Sequence, residues 1–285
     1  MFGKRSDGKE LKHISPIFRL MPCLMKERDD SQVFFNDDIV IKKLEEYTNK
    51  KNEEGIRITV LDIVFAGIVR IIAERPKLNR FVINGRIYSR NEIILTMSVK
   101  KSLTDEAEET SIKAVFTGKE NIFEVKDKLQ KLISDNKDTE AVNGTDEIAS
   151  TLSKIPTGIL KFAVGFLKFL DKRGHLPKKI IEVSPFHTSA VVTNVGSLGI
   201  DSIYHHIYNF GTTSMFFAIG KKKKSYVFED DEIYKEKCIN LAFVGDERIC
   251  DGHYYAASFR SLTRYLTHPE LLEKGLDELP VDPEL

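Results

Sequence analysis

Apolar positions recur every third or fourth residue in some stretches of the chain and alternate or cluster in others, and these two rhythms divide it into helices and strands. Gln32 to Asn36 (QVFFN) is a short β-rich run and the expected first strand, with residues 1–31 as an arm leading into the fold. Ile41, Leu44 and Tyr47 keep helical spacing within Asp38 to Glu54, and Gly55 supplies a stop. Thr59 and Asp62 stand three apart as a capping box before Ile63, Val64, Gly67, Ile68 and Ile71, one face of a helix that ends near Pro76. Asn84-Gly85, which tolerates positive φ at both turn positions, lies between FVI and RIY and predicts a hairpin.

Ile93 to Val99 and Ser111 to Thr117 read as strands around a charged loop, Asp105 to Thr110. A helix from Glu120 to Ser134 follows, then a polar excursion, Asp135 to Asp146, with little apolar area to bury. Ile155 to Leu170 (IPTGILKFAVGFLKFL) is the most apolar stretch, but Lys161 and Lys168 interrupt it and it falls short of the roughly 20 residues a bilayer span needs. It is expected to be a buried or interfacial helix. Ser189 to Thr193, Ser214 to Ile219, Ser225 to Phe228 and Cys238 to Val244 then read as strands separated by Gly-, Lys- or Asp-rich turns. Strands and helices without strict βα alternation predict an α+β fold with a mixed, mostly antiparallel sheet. No repeat or clear linker divides residues 1–285, so a single domain is expected.

Charge narrows the function classes. Lysine plus arginine number 43 and aspartate plus glutamate also 43 in 285 residues, so no net field draws nucleic acid or an anionic membrane; such a contact requires a local patch. Cys23, Cys238 and Cys250 form no disulfide framework and no CxxC pair, and no metal site is expected. The first twenty residues hold no apolar run before a small-residue cleavage site, and a cytoplasmic location is expected.

The strand ending at Val244 leads into Gly245-Asp246-Glu247-Arg248-Ile249-Cys250-Asp251-Gly252, a turn rich in carboxylates that also carries an arginine and a thiol. Gly252 is expected to admit the chain into the helix of Tyr254 to Leu266 by a tight path. ERICDG, followed by Ala256, Phe259, Leu262, Leu266, Pro269 and Leu271-Leu272, resembles the closing motif of the chloramphenicol-acetyltransferase-like superfamily. The likeness is greatest to the catalytic domain of dihydrolipoyl acyltransferases, core subunits of 2-oxoacid dehydrogenase complexes, whose pattern is His-Arg-x-x-Asp-Gly. Val191 to Ile200 (VVTNVGSLGI) and Ser214 to Gly220 (SMFFAIG) resemble that family's Phe-Thr-x-Ser-x-Leu-Gly strand and the strand after it. Pro76-x-x-Asn79 and the Asn84-Gly85 hairpin are a looser match, and the resemblance runs from about Ile14 to Leu272.

The resemblance implies a two-layer fold, a homotrimer with active sites between subunits, and acyl transfer between coenzyme A and a thiol, amine or hydroxyl acceptor. The residues that hold coenzyme A are not assigned. The family's catalytic histidine is replaced by Glu247, which either acts as a base after desolvation or pairs with Arg248 and does no chemistry. Thr193 falls where the family's serine donates to the tetrahedral oxyanion, and a threonine hydroxyl can make the same bond; the alternative is a plain β-branched strand residue. Asp251 is implied to be structural, holding an arginine near the start of the domain, for which Arg19 is the candidate. The alternative to an enzyme is an inactive trimeric binding or scaffold protein of the same fold. No lipoyl domain or subunit-binding segment precedes the fold, so the chain is expected not to carry its own lipoamide.

Other candidates are weaker. His205 and His206 are neighbours whose rings would diverge in a strand or a helix, which suits no shared metal. His187 and His253 flank the site in sequence and either can supply an imidazole. Cys250 is a nucleophile or a small buried residue. Lys221 to Lys224 meet coenzyme A phosphates or form a solvated hairpin. Gly196-x-x-Gly199 lacks the Lys-Ser/Thr of a P-loop.

Overall fold

The computed structural model describes residues 5–100, 109–137, 154–229 and 231–285. Its helices are α1 (Pro16–Leu24), α2 (Lys42–Glu53), α3 (Val60–Glu74), α4 (Ile122–Lys137), α5 (Thr157–Lys172), α6 (Lys178–Val183) and α7 (Gly252–Thr267). Its strands are β1 (Gly8–Glu10), β2 (Gln32–Val40), β3 (Arg80–Ile83), β4 (Arg86–Arg90), β5 (Ile93–Lys100), β6 (Glu109–Phe116), β7 (Ala190–Asn194), β8 (Met215–Glu229) and β9 (Glu232–Asp246). A six-stranded sheet runs β2-β9-β8-β7-β5-β6 and a three-stranded sheet β1-β4-β3. Strand β7 is parallel to β5 and β8, and the other pairs are antiparallel, as the mixture of strand and helix runs predicts.

The capping box sets the start of α3, because the Thr59 hydroxyl accepts from the Asp62 amide while the Asp62 carboxylate accepts from the Thr59 amide at 2.8 Å. Every residue of α3 from Asp62 to Ala73 is buried. On the helix-covered side of the large sheet, Ala190, Val192, Met215, Phe217, Ile219, Ile239, Leu241 and Phe243 join Ile63, Ile68, Leu129 and Leu262 in one core. Strand alternation sends Val191, Phe216, Ala218, Ala242 and Val244 to the opposite face, where they cluster with Ile207. Thr193, two residues after Val191, shares that face.

Several expectations change on contact with tertiary structure. Residues 1–31 are more than an arm: β1 pairs with β4, and Arg5 is anchored by ion pairs of 2.8 Å to Asp7 and Asp171. Asp38 to Val40 extend β2 instead of opening a helix, because the β9 ladder pairs Asp38 with Asn240 and Val40 with Cys238, and α2 starts only at Lys42. The hairpin is as expected, with φ of 50° at Asn84 and 73° at Gly85. Glu109 and Thr110 belong to β6, and the rest of the expected charged loop lies outside the described residues. Residues 135–137 end α4, and the excursion from 138 onward also lies outside them.

Lys221 to Lys224 do not form a turn, since β8 continues through them beside β9 after a register shift between Ile219 and Lys222. Lys222 reaches Glu45 at 2.6 Å and Lys223 reaches Asp38 at 3.1 Å, which ties this part of β8 to α2 and β2. The apolar segment forms α5, but it is not buried: Phe162 is 76% exposed and Ile159 59%. No described helix is long and apolar enough to cross a membrane.

Candidate active site

The turn after β9 is built around Asp246. Its carboxylate accepts from Arg248 Nε at 2.8 Å, Arg248 Nη2 at 2.7 Å and the Ser31 hydroxyl at 3.0 Å. Both partners of this ion pair are buried, with side chains 2% and 0% exposed. Arg248 Nη1 donates to the Met25 carbonyl at 3.0 Å, and the Glu247 amide donates to the Ser31 carbonyl at 2.9 Å, so the turn is fixed to the segment between α1 and β2. Arg80, buried on β3 and paired with Asp282, also donates to the Ile249 carbonyl at 3.3 Å. Arg28 lies close by, where burial pushes its guanidinium down to about 10 against the opposing charge of Asp246, and Arg248 adds to the depression. One carboxylate thus faces two buried guanidinium groups.

Glu247 does not pair with Arg248, because Asp246 occupies that guanidinium. The Glu247 side chain is half-buried at the crest of the turn and makes no hydrogen bond or ion pair among the described residues. Cys250 is 1% exposed and burial pushes its thiol up, so it serves as a small buried residue and not as a nucleophile. Gly252 begins α7 without positive φ and with nothing within 4 Å of an added Cβ, so the helix entry places no steric demand on it.

The Arg19–Asp251 pair does not form. Arg19 is exposed on α1, and Asp251 is exposed at the N-terminus of α7, where its carboxylate accepts from the Tyr254 amide at 2.8 Å. The acid four residues after Glu247 is therefore a helix cap, and the buried ion pair of the turn lies five residues earlier, at Asp246. Asp251→Ala is expected to cost about 1 kcal/mol, the usual value of an N-cap, and Arg19→Ala to leave stability unchanged. Urea denaturation of the two variants checks both; losses of similar size in the two would restore the pair.

Thr193 faces a cleft of about 360 Å³ lined also by Thr96, Ser98, Ser111, Phe186, His205, Tyr208 and Phe216. The Thr193 hydroxyl makes no hydrogen bond among the described residues, and the buried Thr96 hydroxyl has no partner there either. The Thr193 hydroxyl is therefore the unused donor available to a ligand oxygen at this cleft, while the Thr96 oxygen is buried. His205 stacks on Phe216 with ring centroids 4.4 Å apart, and its Nδ1 lies 2.8 Å from the His206 carbonyl. A carbonyl only accepts, so Nδ1 is the donor in this bond. The two neighbouring rings do not diverge, since residues 201–208 are neither strand nor helix and the rings stack 4.8 Å apart.

The other histidines separate cleanly. His187 is fully buried, with Nδ1 2.8 Å from the Ser184 hydroxyl and Nε2 3.2 Å from Asp171, and it is structural. Burial pushes its imidazole down against the pull of Asp171. Burial also opposes ionisation of the Asp171 carboxyl, but the bond from His187 and the charges of His187 and Arg5 hold it below the usual range. His253 is exposed on the first turn of α7.

Glu247 and Thr193 are far apart within one chain. Thr193 is level with Ala218 on β8 and Ala242 on β9, five residues before Glu247. Two strand spacings across and five residues along give a separation of ~19 Å. No single chain brings a base at Glu247 to an oxyanion at Thr193. Sequence reasoning did not find Thr96, Ser98 or the place of His205, because each joins the cleft only through the sheet or an irregular loop.

Residues 185–273 match the family 2-oxoacid dehydrogenases acyltransferase (catalytic domain), a span that contains Thr193, Glu247 and Asp251. No curated protein matches the chain. Among solved structures, a probable dihydrolipoamide acetyltransferase from Listeria monocytogenes is 16% identical, covering 95% of this chain and 98% of that one with a TM-score of 0.56. The dihydrolipoamide acetyltransferase of Azotobacter vinelandii is 11% identical over 95% and 94%, with a TM-score of 0.57. A chloramphenicol acetyltransferase is 8% identical over 91% and 99%, with a TM-score of 0.56. The chain has the chloramphenicol acetyltransferase-like fold.

Proposed function

We propose that the protein is a coenzyme A-dependent acyltransferase, moving an acyl group between coenzyme A and a thiol, amine or hydroxyl acceptor at a site formed between copies of the chain. The observation that carries this reading is the Thr193 hydroxyl, open to a cleft on the helix-free side of β7, at the position the family resemblance gives to the oxyanion donor. In the reaction a base takes the acceptor's proton, the acceptor attacks the thioester carbon, and negative charge grows on the carbonyl oxygen, where the Thr193 O–H donates. The carbon–sulfur bond then breaks and the coenzyme A thiolate regains the proton from the base. Glu247 of a neighbouring copy is the proposed base, since its own copy holds it ~19 Å away by strand geometry. The study of the Azotobacter vinelandii enzyme concerned a serine, a histidine and an asparagine in its mechanism, the last two four positions apart, as Glu247 and Asp251 are here.

One observation favours a second reading, a binding protein of this fold without catalysis: nothing among the described residues orients the Glu247 carboxylate. The test is acyl transfer from acetyl-coenzyme A to dihydrolipoamide by the full chain, with light scattering of the same sample. A trimer that turns over is expected, and Thr193→Val should lower kcat by ~10²–10³, the usual effect of losing an oxyanion donor, without weakening coenzyme A binding. A trimer that binds coenzyme A without turnover establishes the second reading. A monomer removes the shared site.

A further inference from the structure

Helix α5 presents a surface that the proposed acyl transfer does not use, and it lies outside the family-matched residues 185–273. Leu160, Ala163, Val164, Leu167 and Leu170 are partly shielded, while Ile159, Phe162, Phe166 and Phe169 are 59%, 76%, 51% and 48% exposed. At 3.6 residues per turn those four fall within a sector of about 80°, and the exposed Lys161, Lys168 and Lys172 fall within about 40° beside it. None of these lysines has an ion pair among the described residues, and the helix's one carboxylate, Asp171, is buried on Arg5. The outer side of α5 is therefore a phenylalanine stripe with a cationic edge and no acid.

Helix α1 repeats the pattern. Ile17, Leu20 and Leu24 are 60%, 51% and 67% exposed, and the only charge on the helix is Arg19. The two helices border one cleft of about 330 Å³, where Pro22 and Lys26 from the α1 side meet Lys168 and Lys172 from α5. Exposed aromatic rings beside lysines that can reach outward are the chemistry of a helix lying in the interface of a bilayer, with rings at the acyl boundary and ammonium groups on phosphates. At 16 residues α5 measures about 24 Å, shorter than the hydrocarbon core, so it lies on the surface and does not span.

We propose that α5, with α1 beside it, docks this protein on an anionic phospholipid bilayer through Phe162, Phe166 and Phe169, with Lys161, Lys168 and Lys172 on the lipid phosphates. A chain of zero net charge then binds anionic lipid through a local patch.

The experiment is sedimentation of the full chain with vesicles of equimolar phosphatidylcholine and phosphatidylglycerol, and with phosphatidylcholine alone. Binding is expected to the first and to be weak to the second. At about fivefold per lysine near an anionic surface, Lys161→Ala with Lys168→Ala should weaken the partition about 25-fold. Phe162→Asp with Phe166→Asp should reduce binding to background with the melting temperature unchanged, since both rings are exposed. The chain contains no tryptophan, so Phe166→Trp gives a single indole whose emission should move to the blue only when anionic vesicles are added. A wild type that stays in the supernatant overturns the proposal, as does binding that survives both aspartates. Loss of oligomeric state in the aspartate variant, without lipid binding by the wild type, would instead assign the stripe to a second copy of the chain.

Discussion

Glu247→His is expected to raise acyl transfer from acetyl-coenzyme A to dihydrolipoamide by ~10²–10⁴, the range a positioned general base contributes. An imidazole has a pKa near 6.5 and a thiol near 8.5, so the proton moves with little penalty; an ordinary glutamate, near 4.3, is a far poorer match. The local structure permits the exchange, because the wild-type side chain is half-buried with no partner to lose and the turn beneath it is held by the Glu247 amide and by Asp246. The variant keeps the Thr193 hydroxyl, so adding Thr193→Val to it should return most of the gain. Initial rates for wild type, Glu247→His, Glu247→Ala and the double variant decide the matter. A wild-type rate that survives Glu247→Ala but falls in His205→Gln would move the base to the imidazole at the Thr193 cleft. Rates at background in all four, with coenzyme A bound, would leave the binding reading.

The parts of the fold visible in the sequence are those fixed by local chemistry. The Thr59–Asp62 box and the Asn84-Gly85 turn act over three or four residues, and both form as written. The apolar run from Ser189 to Thr193 likewise reads as a strand, and β7 forms over Ala190–Asn194. Legibility stops where a distant partner decides. Asp38 to Val40 carry a helix-compatible pattern, but the β9 ladder takes them into β2. Lys221 to Lys224 read in sequence either as contacts for coenzyme A phosphates or as a solvated hairpin; Glu45 and Asp38, brought up from elsewhere in the chain, pair with two of them within a continuous strand.

The site divides in the same way. The family resemblance singles out Glu247, Thr193 and Asp251 as candidates, but nothing in the motif identifies the side chains around them. Spacing alone cannot tell which acid of the turn turns inward, so the buried pair was expected at Asp251 with Arg19 and is found at Asp246 with Arg248. The sequence singles out His205 beside His206 but not its position, because its place beside Phe216 depends on an irregular loop.

Asp246→Ala is expected to destabilise the protein by about 3–5 kcal/mol, the cost of breaking a buried ion pair and leaving the other charge uncompensated. The carboxylate takes two bonds from the Arg248 guanidinium, one from the Arg248 amide and one from Ser31, and the Asp246 main chain accepts from the Tyr255 hydroxyl at 2.8 Å. Alanine keeps only the last. The buried charges of Arg248 and Arg28 then lose the opposing charge of Asp246, and the turn that carries Glu247 loses its inner anchor. Asp246→Asn preserves shape and one acceptor but not the charge, so it should fall between alanine and wild type. Urea denaturation at neutral pH measures all three, with Asp251→Ala, at about 1 kcal/mol, as the exposed-cap comparison. Equal losses at Asp246 and Asp251 would mean that the inner pair is solvated and does not anchor the turn. A loss several times larger at Asp246 would place the structural acid of this motif at Asp246, directly before Glu247.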